Sequence, residues 1–226
     1  MIWAIPVAAL IGYLIGSIQF GLIVGRLTRG IDVREYGSGV TGATNVIRTS
    51  GWKAGVAVII LDIAKGIVPV YLGLALGHLA GIDAKDDRAW VAASAALAAV
   101  IGHIWPAFAG FRGGRAVATG FGAALAMNPL ASVALIPVAA LVVGATRIMS
   151  LMSITMAPLL AIVFIVLAVV DVSPPAYAAY ATIAAALIVY KHRPNIERLI
   201  AGMEPRVGRG GERRPQPAEE GAPSRS

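Results

Sequence analysis

Residues 1–25 carry no charged side chain, and apolar runs recur at residues 54–79, 89–110, 116–146, 154–170 and 175–190. Each is long enough to predict a helix on the scale of a bilayer. At 1.5 Å per residue, about 20 residues cross roughly 30 Å of hydrocarbon. The first run has no basic segment ahead of it, so it reads as a retained span rather than a cleaved signal. Residues 116–146 would form one helix of about 46 Å, too long for a single crossing. The Asn128-Pro129 pair offers a break, because proline disfavours helix at the residue before it. Splitting there gives two short spans and about seven in all. No heptad pattern, strand alternation or internal repeat interrupts this reading, which predicts an all-α polytopic membrane protein.

Composition sharpens the class. The chain is 58% hydrophobic and 14% charged, with a mean hydropathy of +0.77, against roughly 25% charged residues in soluble domains. With no cysteine, there is no disulfide, thiolate metal site or thiol nucleophile. Lys and Arg outnumber Asp and Glu by 19 to 12, which in a membrane protein points to loops beside anionic lipid rather than to nucleic acid. In a seven-span chain, one face receives Arg26, Arg29, Arg34, Arg48, Lys53, Arg112, Arg115, Arg147, Lys191, Arg193 and Arg198. The other receives Lys85 and Arg88, offset by Asp83, Asp86, Asp87 and Asp171. The positive-inside rule then predicts an outside N-terminus and a cytoplasmic C-terminus. Residues 1–204 read as a single transmembrane domain. Residues 205–226, rich in Pro, Gly, Arg and Glu, read as a disordered cytoplasmic tail.

Candidate chemistry lies between the apolar runs. Residues 34–51 (REYGSGVTGATNVIRTSG) include four glycines and two arginines, with hydroxyl side chains and Asn45 interspersed. Backbone N–H groups at Gly37, Gly39 and Gly42 can converge on phosphate oxygens, the Ser38 and Thr41 hydroxyls add donors, and Arg48 adds a planar cationic fork. A flexible loop is the plain alternative, and neither nucleotide-loop pattern is present. Residues 102–120 place Arg112 and Arg115 around Gly113-Gly114, at the end of a span where basic anchors are also common. Asp62 and Lys65 fall inside the second run at i, i+3 spacing. A lone charge there costs about 2.5–3.5 kcal/mol, so the two are expected to pair, either to build or line a polar site or as a purely structural pair. His192, Asn195 and Glu197 follow the last run, a group suited to a polyhydroxyl or amine ligand. Ser150 and Ser153, after Arg147, can serve a phosphate or cap a helix. No nucleophile elbow, HExxH or carboxylate cluster with metal spacing occurs.

Taken in order, GSIQFG (residues 16–21), the 34–51 stretch, LDIAKGIVPV (61–70), the 102–120 stretch, RIMSLMS (147–153) and KHRPNIERL (191–199) resemble the PlsY family. These are bacterial integral-membrane acyltransferases that transfer a fatty acyl group from acyl phosphate to glycerol 3-phosphate, giving lysophosphatidic acid and phosphate for phospholipid synthesis. The resemblance implies seven spans, a multi-pass protein of the plasma membrane with a cytoplasmic-side site, both substrates and membrane lipid as partners, and no metal or nucleotide cofactor. It places catalytic roles on Ser38, Arg48, Arg115, His192, Asn195 and Glu197. Gly37, Gly39, Thr41, Gly42, Asn45, Lys65, Arg112, Gly113, Gly114, Ser150 and Ser153 are expected to bind substrate or phosphate. Gln19, Val40, Arg115 and Ala116 stand where the family usually has proline, asparagine, lysine and glycine. A carrier or binding protein for small phosphorylated solutes, or a catalytically weak diverged paralogue, are the competing readings.

Overall fold

The computed structural model describes residues 3–207 and 211–214, and among them every regular element is helical apart from one isolated bridge, Tyr36 with Arg213. The chain opens with α1 (Ala4–Gly16) and α2 (Phe20–Arg29), separated by a break at residues 17–19. A 3-10 turn (Val33–Glu35), the short α3 (Ala43–Ser50) and the long α4 (Trp52–Leu79) follow. Then come α5 (Lys85–Ile104), α6 (Val117–Met127), α7 (Pro129–Ala134), α8 (Ile136–Thr146), α9 (Met149–Val169), α10 (Pro175–Lys191) and α11 (Arg193–Ile200).

The expected seven spans are not what forms. Among the described residues five helical stretches are long and apolar enough to cross a membrane: Ala4–Arg29, Trp52–Leu79, Lys85–Ala109, Pro129–Thr146 and Met149–Val169. The chain does part at Asn128, whose side chain accepts the Ala131 N–H to cap α7. However, α6 on the near side has only 11 residues, a rise of about 16 Å. The 17 residues of α10 rise about 25 Å, also short of a hydrocarbon core of about 30 Å. Apolar composition therefore overstated the crossings. The outside N-terminus and cytoplasmic C-terminus are not decided by this change, since five crossings, like seven, place the termini on opposite sides.

Small residues let the helices approach closely. Gly12 and Gly16 of α1 lie on the Ala95 and Ala99 backbone of α5, while Gly66 of α4 and Gly122 of α6 lie on each other's helix backbones. Between lipid-facing helices there is little hydrophobic gain from association, so such backbone contact carries the packing. The main core cluster joins Val70, Val100, Ile104, Phe164, Tyr177 and Tyr180 with a series of alanines from α5, α6 and α10. Leu10, Ile60, Leu141, Ile162 and Val169 are exposed, as lipid-facing side chains should be.

Inside this bundle Asp62 and Lys65 pair, with Oδ1 and Nζ 3.0 Å apart and both side chains buried. The Lys65 ammonium also donates to Ile18 O (2.7 Å) in the α1–α2 break and lies 5.6 Å from the Phe20 ring centroid. A helix interrupted within a membrane leaves carbonyls without partners, and here a buried cation supplies one.

Of the tail, residues 205–207 and 211–214 are described and bond back to the body. Val207 N–H donates to Arg147 O (2.8 Å), Gly37 N–H to Glu212 O (2.9 Å) and Arg214 N–H to Glu35 O (2.8 Å). The disorder expected for residues 208–210 and 215–226 falls outside the described residues.

Candidate active site

One cavity of about 370 Å³ collects polar residues distant in sequence. Ser38, Asn45, Arg48, Arg115, Ser150, Ser153, His192 and Asn195 all line it. From this polar cup it continues along Phe121, Leu135, Ile136, Met152, Met156, Leu160, Ala181 and Ala184, an apolar limb between α6, α8, α9 and α10.

The glycine-rich segment is shaped by Asn45. Its Nδ2 donates to Val33 O (2.7 Å), Tyr36 O (3.2 Å) and Val40 O (3.0 Å), while Oδ1 accepts the Ser38 N–H (2.9 Å). One buried amide thus folds residues 33–40 around itself and presents Ser38 to the cavity. Gly39, at φ +71°, makes the left-handed turn this requires. The chain then enters α3, whose first residues Ala43 and Thr44 line the cup, so helix N-terminal amides add to its positive potential. The second loop is flattened against the end of α5. Gly114 N–H donates to His103 O (3.1 Å), and a Cβ at Gly113 or Gly114 would run into His103. Arg115 follows directly and turns into the cavity.

At the far wall, α10 ends at His192, whose Nδ1 lies 2.7 Å from Ile188 O. A carbonyl only accepts, so Nδ1 carries the proton and Nε2 is left as an acceptor. Burial, with Arg115 nearby, lowers the His192 pKa to about 4 despite that hydrogen bond, leaving a neutral imidazole at pH 7. Burial likewise lowers Arg115 to about 10, partly offset by the Glu204 charge, and lowers Arg48 for the same reason. Both arginines remain cations at neutral pH.

Glu204 was not among the candidates, yet it organises this wall. Its carboxylate accepts from Ser150 Oγ (2.7 Å), Asn195 Nδ2 (2.6 Å) and Arg198 Nε (2.8 Å). Burial alone would raise its pKa, but those three bonds outweigh it and hold the group below the usual glutamate value. Glu197, the carboxylate expected here, is exposed and does not line the cavity. Asn195 and Glu197 are two residues apart on α11, a spacing that puts them on different faces. The sequence signal for Glu204 was Gly202, which at φ +69° ends α11 with Met203 N–H donating to Arg198 O (2.7 Å) and turns the chain back toward the cup.

Other expected residues lie elsewhere or have their polar groups already bonded. Thr41 Oγ1 donates to Gln19 Oε1 (2.5 Å), away from the cup. Lys65 is committed to Asp62 and Ile18, although Asp62 itself reaches the cavity wall. Arg112 is exposed. Ser153 Oγ donates to Met149 O (3.0 Å), a helix back-bond, and Gly37 N–H is taken by Glu212 O. Gly42 borders the cup. Four residues lining the cavity hold a buried polar atom with no hydrogen-bond partner among the described residues, Arg48 Nε and Asn195 Oδ1 in the cup and Asp62 Oδ1 and Ser132 Oγ beyond it. A cationic donor and an amide acceptor left unsatisfied in one cavity fit a ligand that is both anionic and hydroxylated.

The profile of the family described as glycerol-3-phosphate acyltransferase matches residues 6–202 of the chain. A glycerol-3-phosphate acyltransferase of Rippkaea orientalis is 39% identical over 211 residues, covering 92% of this chain and 95% of that protein. One from Anaeromyxobacter sp. (strain Fw109-5) is 44% identical over 196 residues, covering 87% and 93%. Among solved structures, the chain is similar to PlsY, an integral membrane glycerol 3-phosphate acyltransferase, in its glycerol 3-phosphate form. The TM-score is 0.75 at 39% identity, covering 88% of this chain and 93% of that one.

Proposed function

The chain belongs to the glycerol-3-phosphate acyltransferase (PlsY) family of multi-pass membrane enzymes, and from that premise we propose how its cup transfers a fatty acyl group from acyl phosphate to glycerol 3-phosphate. The observation that carries the proposal is the continuity of a cationic cup with an apolar limb in one cavity. An acyl phosphate needs both, since its phosphoryl head is anionic and its chain belongs with lipid.

In this reading Ser38 and the amides at residues 42–44 hold the acyl phosphate, Ser150, whose O–H goes to Glu204, borders it, and the chain lies along Met152, Met156 and Leu160. Arg48 and Arg115 hold the phosphate of the acceptor. The His192 Nε2 and Asn195 Oδ1 acceptors orient its hydroxyls, with Glu204 fixing Asn195. The acceptor 1-hydroxyl oxygen attacks the carbonyl carbon, the bond from that carbon to the phosphate oxygen breaks, and the hydroxyl proton leaves with inorganic phosphate. A neutral His192 whose pKa is lowered to about 4 is a weak base, so it orients rather than deprotonates. Because the donor is already activated, catalysis rests on alignment and on cations that offset two mutually repelling phosphates.

The cup opens to the cytoplasmic side, a placement favoured by the arginines of its loops and by the acidic turn at the opposite end of α4 and α5, with Asp83, Asp86 and Asp87. Residues 1–204 act as the catalytic unit, and residues 205–226 are an appended tail. The test is transfer itself. Detergent-purified protein given palmitoyl phosphate and labelled glycerol 3-phosphate should make labelled lysophosphatidate. Arg48→Ala should reduce kcat/KM roughly tenfold to hundredfold, the worth of one charge-assisted contact. Absence of product from the unmodified chain, or equal activity in the variant, would refute the assignment.

A further inference from the structure

Resting on that function, we propose that Gln19 is a positioning residue, whose side chain ties the glycine-rich loop to the Arg115 loop and so sets the distance between the two anion-holding halves of the cup. Gln19 precedes α2 in the break between α1 and α2 and is only 5% exposed. Its Oε1 accepts from Thr41 Oγ1 at 2.5 Å, and Thr41 sits between Ser38 and the start of α3. Its Nε2 donates to Gly16 O and to His103 O, each at 3.4 Å. The same His103 carbonyl receives Gly114 N–H at 3.1 Å, one residue before Arg115.

The result is a continuous buried path, Thr41 to Gln19 to His103 to Gly114, that meets the cavity wall only at His103 yet joins both of its loops. The His103 end is held firm. Its ring Nδ1 is 3.2 Å from Thr119 Oγ1 on α6, and Gly114 packs on the ring. The loop end is held as well, since Thr41 is 1% exposed and its carbonyl lies directly against Gly21 of α2. A buried amide bonded through both its oxygen and its nitrogen to separate segments fixes their relative placement. An apolar side chain of similar size would fill the space without doing so.

The consequence is an effect that crosses the site. Thr41 lies on the loop that holds acyl phosphate, whereas glycerol 3-phosphate is held by Arg48 and Arg115. Removing the Thr41 hydroxyl should nevertheless weaken glycerol 3-phosphate binding by letting the Arg115 loop drift. Calorimetric titration of glycerol 3-phosphate into the detergent-purified full chain reads this directly, and the fraction of folded protein does not alter the dissociation constant. Thr41→Val should raise that constant about threefold to tenfold. Gln19→Leu should do the same, their combination should do no more than either alone, and Thr41→Ser should bind as the wild type does. Wild-type affinity in a folded Thr41→Val, or effects that multiply in the double variant, would overturn the tie. Should Gln19→Leu not fold, the Thr41→Val and Thr41→Ser pair decides alone. If the unmodified chain binds glycerol 3-phosphate but makes no lysophosphatidate, the catalytic function fails and the titration still decides the tie. No binding at all would overturn both.

Discussion

Replacing Glu204 by glutamine keeps the shape of the side chain and removes its charge, which makes the contribution of that carboxylate measurable. Three donors meet it: Ser150 Oγ at 2.7 Å, Asn195 Nδ2 at 2.6 Å and Arg198 Nε at 2.8 Å. The Arg198 side chain is 36% exposed, so solvent screens that pair and it adds little. For the other two, exchanging a charged acceptor for a neutral one loses about 1 kcal/mol each, and an amide nitrogen turned toward Asn195 Nδ2 leaves one donor unmatched. The sum is about 2–3 kcal/mol, or about 4–12 °C in melting temperature for a chain of this size. Thermal melts of Glu204→Gln and wild type in the same detergent at pH 7 measure it. The pH dependence follows from the lowered folded pKa. A carboxylate held below its ordinary value adds stability at pH values above that ordinary value and loses it as pH falls through the folded value. The gap between the proteins should therefore be full at pH 6–7 and close only below about pH 4. Equal melting temperatures at pH 7, or a gap that does not change in acid, would refute the role given to Glu204.

Two other perturbations probe different parts of the structure. His192 has the opposite charge type but the same direction of shift, from 6.5 to about 4. The unfolded chain takes up a proton that the folded one refuses, so stability is complete above pH 6.5 and falls as pH drops toward 4, by about 3 kcal/mol over the window. Melts at pH 7 and pH 5 should show wild type losing stability and His192→Gln losing distinctly less, and a flat wild-type profile would contradict this. Lys65→Met leaves Asp62 buried without its cation and should cost about 3–5 kcal/mol, whereas Lys65→Met combined with Asp62→Leu should recover most of it. The comparison of melting temperatures fails if the double variant is the less stable.

Much of the site could be read before any coordinates, because anion chemistry leaves compositional marks. Glycines with hydroxyls and arginine at residues 34–51, and an arginine after paired glycines at 113–115, do meet in one cavity with His192 and Asn195. What could not be read is orientation within each segment. Thr41 and Lys65 are polar residues in the right stretches whose side chains turn to the α1–α2 break instead. Nothing local indicates this, because their partners Gln19 and Ile18 are brought near only by packing. Glu197 follows Asn195 by two residues, a helical spacing that turns it to another face, and the Gly202 reversal brings Glu204 to Asn195 instead. The crossings were overcounted for a related reason. Hydropathy measures what a segment tolerates, while length decides whether it spans, and α6 and α10 are tolerant but short.

The dependence of the cup on Glu204 also bears on biogenesis. Ser38 and Arg48 are synthesised early, yet the carboxylate that fixes Asn195 is added only after every apolar helix of the described residues. A nascent chain can thus insert its helices while its active site is still open on one wall. Insertion of the helices and closure of that wall are set in sequence by the order of the residues.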